Sequence, residues 1–192
     1  MRKSLKQKIK NIRNIRIWYS PYYRRYPEYR FSYINKVDAR IAVNQVNKFI
    51  YIRIPKAANS IISSTIYKNQ HGKEAENPKV AKDSFDRLST LSVSQISLLE
   101  DYYYKFIFVR NPYIRILSAY LDKVDRYNHS ASRFHKPNIR GIKMDYGGNV
   151  SFKDFCRYLK ADGLYKDAHW IPQSCYTQIL GGSHKLDFIG RI

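Results

Sequence analysis

Two short apolar, β-branched runs punctuate the chain, and each breaks abruptly into a helix start. The first, Phe49 to Ile54, stops at Pro55. Lys56, the small residues Ala57 and Ala58 and the capping types Asn59 and Ser60 follow, and Ile61-Ile62 then resumes an apolar pattern. That order predicts a buried strand, a tight turn and a helix through Tyr67 that ends near His71-Gly72. The second run, Lys105 to Val109, ends in Arg110, with Asn111 placed to cap a helix and Pro112 at its first position. On that helix Tyr113, Ile116, Leu117, Tyr120, Leu121 and Val124 form the expected apolar stripe, and Asn111, Arg115, Ser118 and Asp122 fall opposite. Weaker patterns predict a short strand from Arg40 to Val46, a helix capped by Ser92 or Ser94, and a helix opened by Ser151 and Asp154. A final strand is expected at Leu186–Ile189, after a turn at Gly181-Gly182. Lys73 to Asp86 and Arg126 to Val150 read as polar connections.

The junctions carry chemistry as well as topology. A strand–turn–helix aims several backbone N–H groups and the positive end of a helix dipole at one point. Ala57 and Ala58 permit close approach there and Lys56 adds a full charge, so a phosphate or sulfate group is the natural occupant. The plain alternative is an ordinary turn with a solvated lysine. Arg110 closes its strand at the edge where open α/β sheets bind ligands. With Ser118 it offers a second anion site near the next helix start. Two anion sites on one sheet edge suggest a nucleotide with phosphates at both ends.

These stretches resemble a known family. Ile54-Pro55-Lys56-Ala57-Ala58-Asn59-Ser60 is similar to the 5′-phosphosulfate loop of sulfotransferases that use 3′-phosphoadenylyl sulfate (PAPS). Phe108-Val109-Arg110-Asn111-Pro112-Tyr113, with Arg115, Ser118, Ala119 and Tyr120, resembles their 3′-phosphate site, although Asn111 stands where an acidic residue is usual. His169-Trp170-Ile171-Pro172-Gln173, Cys175 and Asp187-Phe188-Ile189-Gly190-Arg191 look like the downstream signature of the carbohydrate (family 2, HNK-1-like) branch. The resemblance runs in order from about Phe49 to Ile192. It implies an α/β, P-loop-like three-layer fold with a central, mainly parallel sheet flanked by helices. It also implies PAPS as donor, adenosine 3′,5′-bisphosphate as product and a carbohydrate hydroxyl on a polysaccharide or glycolipid as acceptor. Family members usually continue past the matching point with further helix, so the expected sulfotransferase-like domain, residues 34–192, is short at its C-terminal end.

By the same resemblance Lys56 neutralises the leaving phosphate oxygen, and the N–H groups from Ala57 to Ile61, with the Asn59 and Ser60 side chains, cradle the 5′-phosphosulfate. Arg110 and Ser118 take the 3′-phosphate, while Arg115 either assists or pairs with Asp122. Acceptor deprotonation needs a base, and a neutral histidine suits that role near pH 7. His169 is the first choice, with a structural histidine as its plain alternative; His71, His135, Glu74 and Glu76 are the others. No metal ligand spacing is evident among five His and two Cys. The connection from Arg126 to Val150 is a candidate acceptor-binding lid.

Charge widens the range of partners without choosing among them. The 192 residues hold 35 Lys plus Arg against 15 Asp plus Glu, a formal net charge of +20, which predicts anionic partners. Residues 1–33 form a basic, aromatic-rich arm. Its first sixteen residues read as a thin amphipathic helix that could rest on an anionic membrane, and Trp18 to Tyr33 could stack on bases or sugars or pack across the fold. Nucleic acid is not the expected partner, and a homo-oligomer is left open. No apolar run suggests a signal peptide or membrane span, which predicts a cytoplasmic, at most peripheral, protein. The competing reading is a non-catalytic basic protein on a degenerate sulfotransferase fold, binding nucleic acid or anionic glycan. Cys156 and Cys175 are too few for a disulfide scaffold.

Overall fold

The computed structural model describes residues 11–126 and 150–192. Its centre is a four-stranded sheet, β1 (Ile41–Asn44), β2 (Phe49–Ile52), β3 (Tyr104–Val109) and β4 (Phe188–Arg191), in that spatial order. β1 runs antiparallel to β2, and β2, β3 and β4 are mutually parallel. The helices that concern the site are α1 (Asn59–His71), α2 (Pro78–Asp83), α3 (Pro112–Tyr120) and α4 (Phe152–Tyr158). The mixed α/β architecture with a mainly parallel sheet flanked by helices is the one expected.

Strand alternation builds two cores from one sheet. Ile41, Val43, Ile50, Ile52 and Ile107 face one side and pack with Tyr176 and Ile179. Ala42 and Tyr51 face the other, with Phe49, Phe106 and Phe108 packed against them together with Ile62 and Ile66 of α1. A third cluster joins α3 to α4 through Ala119, Val124, Phe155 and Trp170. β4 approaches β3 closely: a Cβ on Gly190 would lie 2.5 Å from the Phe108 ring, so no larger residue fits without displacing it.

Residues 11–18 are helical, and the aromatic stretch beyond them packs across the fold rather than standing free. Tyr22 and Tyr23 are core residues; their hydroxyls donate to the Ile179 carbonyl at 2.6 Å and the Asp38 carboxylate at 2.9 Å. Residues 1–10 of the basic segment, His135 and nearly all of the Arg126 to Val150 connection lie outside the described residues. No helix among the described residues is long and apolar enough to cross a membrane. Both cysteines are free thiols.

Several elements depart from expectation for identifiable reasons. The Lys73 to Asp86 connection contains α2, capped by the Asn77 side chain, which accepts from the N–H groups of Lys79 and Val80. A two-turn helix this polar offers little periodic signal. The last strand begins at Phe188, because Asp187 is used to tie the chain to Lys105: its N–H donates to the Lys105 carbonyl and its carboxylate accepts from the Lys105 N–H. α3 is rotated from the expected stripe. Tyr113 is 83% exposed and Leu117 and Leu121 also face outward, whereas Arg115 is 2% exposed. Arg115 turns inward because three carbonyls at the junctions need its donors. The helix then widens into a π-helical turn over Leu121–Asp125, which shifts the phase of the residues that follow.

Candidate functional site

The loop after β2 is tightly wound. Lys56 and Ala58 both adopt left-handed backbone angles, φ 69° and 49°, and Ala58 is the residue from which α1 departs. A left-handed conformation at two residues in three is costly for L-amino acids and is found where surrounding structure enforces it. The Ala57 N–H is spent on the Ile54 carbonyl. Those of residues 58–61 have no acceptor among the described residues, as expected for a first helical turn, and point outward from the helix start. Neither Asn59 nor Ser60 caps the helix as their types suggest. Asn59 accepts from the Ser63 hydroxyl at 3.2 Å, and the Ser60 hydroxyl accepts from Lys82 of α2 at 2.7 Å.

The two junctions lie side by side. One Arg110 Nη donates to the Lys56 carbonyl at 3.2 Å, so the arginine that ends β3 braces the turn that ends β2. The Arg110 backbone is in turn held by Gln173, which accepts from its N–H at 3.0 Å and donates to its carbonyl at 2.8 Å. That pairing draws the His169–Gln173 stretch onto the same sheet edge. Ser118 is half-buried on α3, and its hydroxyl has no hydrogen bond among the described residues; it is not bonded to Arg110 or Lys56.

The expected pairing of Arg115 with Asp122 is not formed. Asp122 accepts from Lys56, not Arg115: Lys56 Nζ lies 2.6 Å from its Oδ2, with Lys123 at 3.1 Å on the same oxygen. The hydrogen bond from Lys56, aided by Lys123, holds the Asp122 carboxyl down to about 2. Arg115 is a buried clamp instead. It donates to the carbonyls of Pro55 and Ile171 at 3.0 Å each and to that of Ala168 at 3.5 Å.

His169 is half-buried, and its Nδ1 lies 2.6 Å from Asp167, whose carboxylate also accepts the His169 N–H. Burial works to raise the Asp167 carboxyl, but the bonds from His169 outweigh it and the group sits below the usual range. With Nδ1 engaged, Nε2 has no hydrogen bond among the described residues, the arrangement of an oriented base. His169, Pro55 and Asn59 line one cavity of about 320 Å³. The other candidate bases are placed elsewhere. His71 packs at a tilt against Tyr67 at the far end of α1, on the order of 18 Å from its start by helical rise. Glu74 is exposed and paired with Lys68 at 2.9 Å, and Glu76 is exposed. Asp167, the bonding of Gln173 to the Arg110 backbone and the Lys56–Asp122 pair are not legible in the sequence, since each depends on contacts between distant segments or on a loop with no period.

A sequence model of the sulfotransferase family (Sulfotransfer_2) matches residues 39–192. The chain belongs to the sulfotransferase family. It is 30% identical over 161 residues to carbohydrate sulfotransferase 14 of Danio rerio, covering 78% of this chain and 43% of that protein. It is 27% identical over 188 residues to carbohydrate sulfotransferase 9 of Homo sapiens, covering 83% and 39%. A third relative, carbohydrate sulfotransferase 11 of Danio rerio, is 27% identical over 157 residues, covering 71% and 44%. The chain thus spans less than half the length of these curated relatives. No solved structure matches it. Among the described residues no group of three His, Cys, Asp or Glu side chains is placed to hold a metal ion.

Proposed function

We propose that the protein transfers a sulfuryl group from PAPS to a hydroxyl of a carbohydrate acceptor, a polysaccharide or glycolipid. The observation that carries this reading is the bracing of the Lys56 turn by Arg110, which brings a helix start with free N–H groups and two cationic side chains to one sheet edge. Small residues at 57 and 58 and the open N–H groups of 58–61 fit a doubly charged phosphosulfate. PAPS, when bound, supplies the activated sulfuryl group. Lys56 neutralises charge building on the bridging phosphate oxygen, and the N–H groups of 58–61 hold the equatorial oxygens, so the protein acts by positioning and electrostatic stabilisation. Arg110 and the Ser118 hydroxyl take the 3′-phosphate. His169, with Nδ1 fixed by Asp167, accepts the acceptor's hydroxyl proton at Nε2.

The test is thermal stabilisation by adenosine 3′,5′-bisphosphate compared with ATP, followed by transfer of sulfate from PAPS to a glycan panel. The bisphosphate should raise Tm selectively, because a ligand that binds only the folded state stabilises it by mass action. Lys56→Ala and Arg110→Ala should each remove that rise or the transfer. Wild-type behaviour in both variants would overturn the assignment.

A further inference from the structure

The helix of residues 11–18 is apolar on two opposite sides. One side is spent on the fold. Asn14 is buried there, its Nδ2 donating to the Ser32 carbonyl at 2.9 Å, and Ile17 and Trp18 pack against the main core. The other side faces out. Ile12, Ile15 and Tyr19, at helical spacing, are 56%, 45% and 70% exposed. The Tyr19 N–H donates to the Ile15 carbonyl at 3.0 Å, so the last of the three still belongs to the final turn. A lone exposed isoleucine is ordinary, but three large apolar side chains aligned opposite a docked face form an outward stripe that calls for a partner.

Cations border that stripe. Arg13 and Arg16 each follow one of its isoleucines, within about 100° of it around the helix axis, and both are exposed. Arg24 and Arg25, also exposed, end the next short helix, Pro21–Arg25. None of these four arginines is in an ion pair among the described residues. Five of residues 1–10 are Lys or Arg, and the first acidic residue of the chain is Glu28.

The geometry favours a lipid surface over a nucleic acid as the anionic partner. Single-stranded nucleic acid is held by open aromatic faces, and the arm has spent its own: from Trp18 to Tyr33 every aromatic side chain except Tyr19 is buried or packed against the core. Aliphatic side chains flanked by arginines match instead the boundary zone of a bilayer, where isoleucines enter the acyl region and arginine stems extend to the phosphate headgroups. We propose that this outward face docks the protein on an anionic membrane surface, with the helix of residues 11–18 lying in the plane of the interface. Asn14, Ile17 and Trp18 tie that helix to the core, so docking holds the domain in one orientation on the lipid. The proposal stands apart from the sulfotransferase reading and does not need the donor.

Co-sedimentation of the full chain with phosphatidylcholine vesicles, and with vesicles in which about a third of the lipid is phosphatidylglycerol, tests it. The anionic vesicles should bind at least about tenfold more tightly. Net charge alone draws a basic protein to such vesicles, so variants that leave the charge untouched are compared. Ile12→Ser/Ile15→Ser/Tyr19→Ser should lose about tenfold in partitioning, whereas Val46→Ser/Val93→Ser/Tyr102→Ser, exposed apolar positions elsewhere, should lose about twofold or less. Arg13→Gln/Arg16→Gln should lose about fivefold, against about twofold or less for Lys153→Gln/Lys160→Gln on another exposed surface. Thermal unfolding of each variant, read alongside, should stay close to that of the wild type, because every substituted side chain is exposed; should the serine variant unfold, the arginine pair alone decides. Equal losses in the arm variants and their controls, or equal binding to neutral and anionic vesicles, would overturn the proposal. Loss of single-stranded DNA binding in the arm variants with vesicle binding unchanged would make the face a nucleic-acid surface and overturn it as well.

Discussion

The Lys56 ammonium lies 2.6 Å from the Asp122 carboxylate, a pair that joins the turn after β2 to the π-helical turn after α3. In the proposed reaction this same ammonium must serve a phosphate oxygen. Asp122 is therefore both an orienting partner for Lys56 and a negative charge beside an anion site. Replacing it with Asn removes the repulsion and loosens the lysine. Asp122→Asn should bind adenosine 3′,5′-bisphosphate about fivefold more tightly, on the order of the 1 kcal/mol expected of a partly exposed pair, and turn over more slowly. Titration calorimetry and steady-state kinetics on the same preparation check this. A purely structural Asp122 would lower stability without separating affinity from turnover.

The same pair sets a pH dependence. Asp122 titrates at about 2, well below an ordinary aspartate near 4, because Lys56 hydrogen-bonds its charged form. A depressed carboxyl contributes stability that is full above its unfolded value and is lost as pH falls through the folded one. The difference in unfolding free energy between wild type and Asp122→Asn should be constant above about pH 5 and close progressively toward pH 2. Denaturant titrations at stepped pH measure it. A gap that does not change with pH would mean that the carboxylate's charge contributes nothing.

His169 and Asp167 should separate as base and orienter. His169→Ala removes the proton acceptor and should lower kcat by about a hundredfold or more, within the range general bases supply. Asp167→Asn leaves the imidazole in place but loosens its tautomer and direction, since the carboxylate holds Nδ1 at 2.6 Å. A smaller loss, about tenfold in kcat, is expected, with bisphosphate stabilisation unchanged in both. Loss of bisphosphate binding in either variant would make the pair structural.

Local signals carried much of this architecture. Phe49–Ile52 and the run into Val109 are strands because alternating large apolar residues fill both faces of the sheet, and Asn111-Pro112 opens α3 with the side-chain cap its type promises. The side-chain bonds that assemble the site were less accessible. Arg115 sits on α3 at a spacing that looks polar and solvent-facing, yet carbonyls from two other segments draw it inward. Arg53 lies inside the apolar run from Phe49 to Ile54, where its type alone assigns it no role, and its meaning depends on Lys82 and Ala39. Asn59 and Ser60 have capping chemistry, but a left-handed Ala58 starts the helix and frees them for Ser63 and Lys82. In each case the deciding partner is remote in sequence, or the deciding angle belongs to a backbone that side-chain type does not report.

Arg115 is the clamp whose removal should damage fold and site together. It spans Pro55 at the entrance of the turn, and Ala168 and Ile171 on either side of His169 and Trp170, entirely through carbonyl acceptors. Arg115→Met keeps the apolar volume but leaves those buried carbonyls without donors, at roughly 1–3 kcal/mol for each one that water cannot reach. A total loss of about 3–5 kcal/mol is expected, which for a chain of this size lowers Tm by on the order of 10 °C. Arg115→Lys should recover little, because one ammonium on a flexible stem does not reproduce a planar fork reaching three directions. Bisphosphate affinity should fall alongside stability, since Pro55 immediately precedes Lys56. Thermal unfolding with and without the nucleotide reads both effects, and a stable Arg115→Met protein with wild-type affinity would show that the clamp is dispensable.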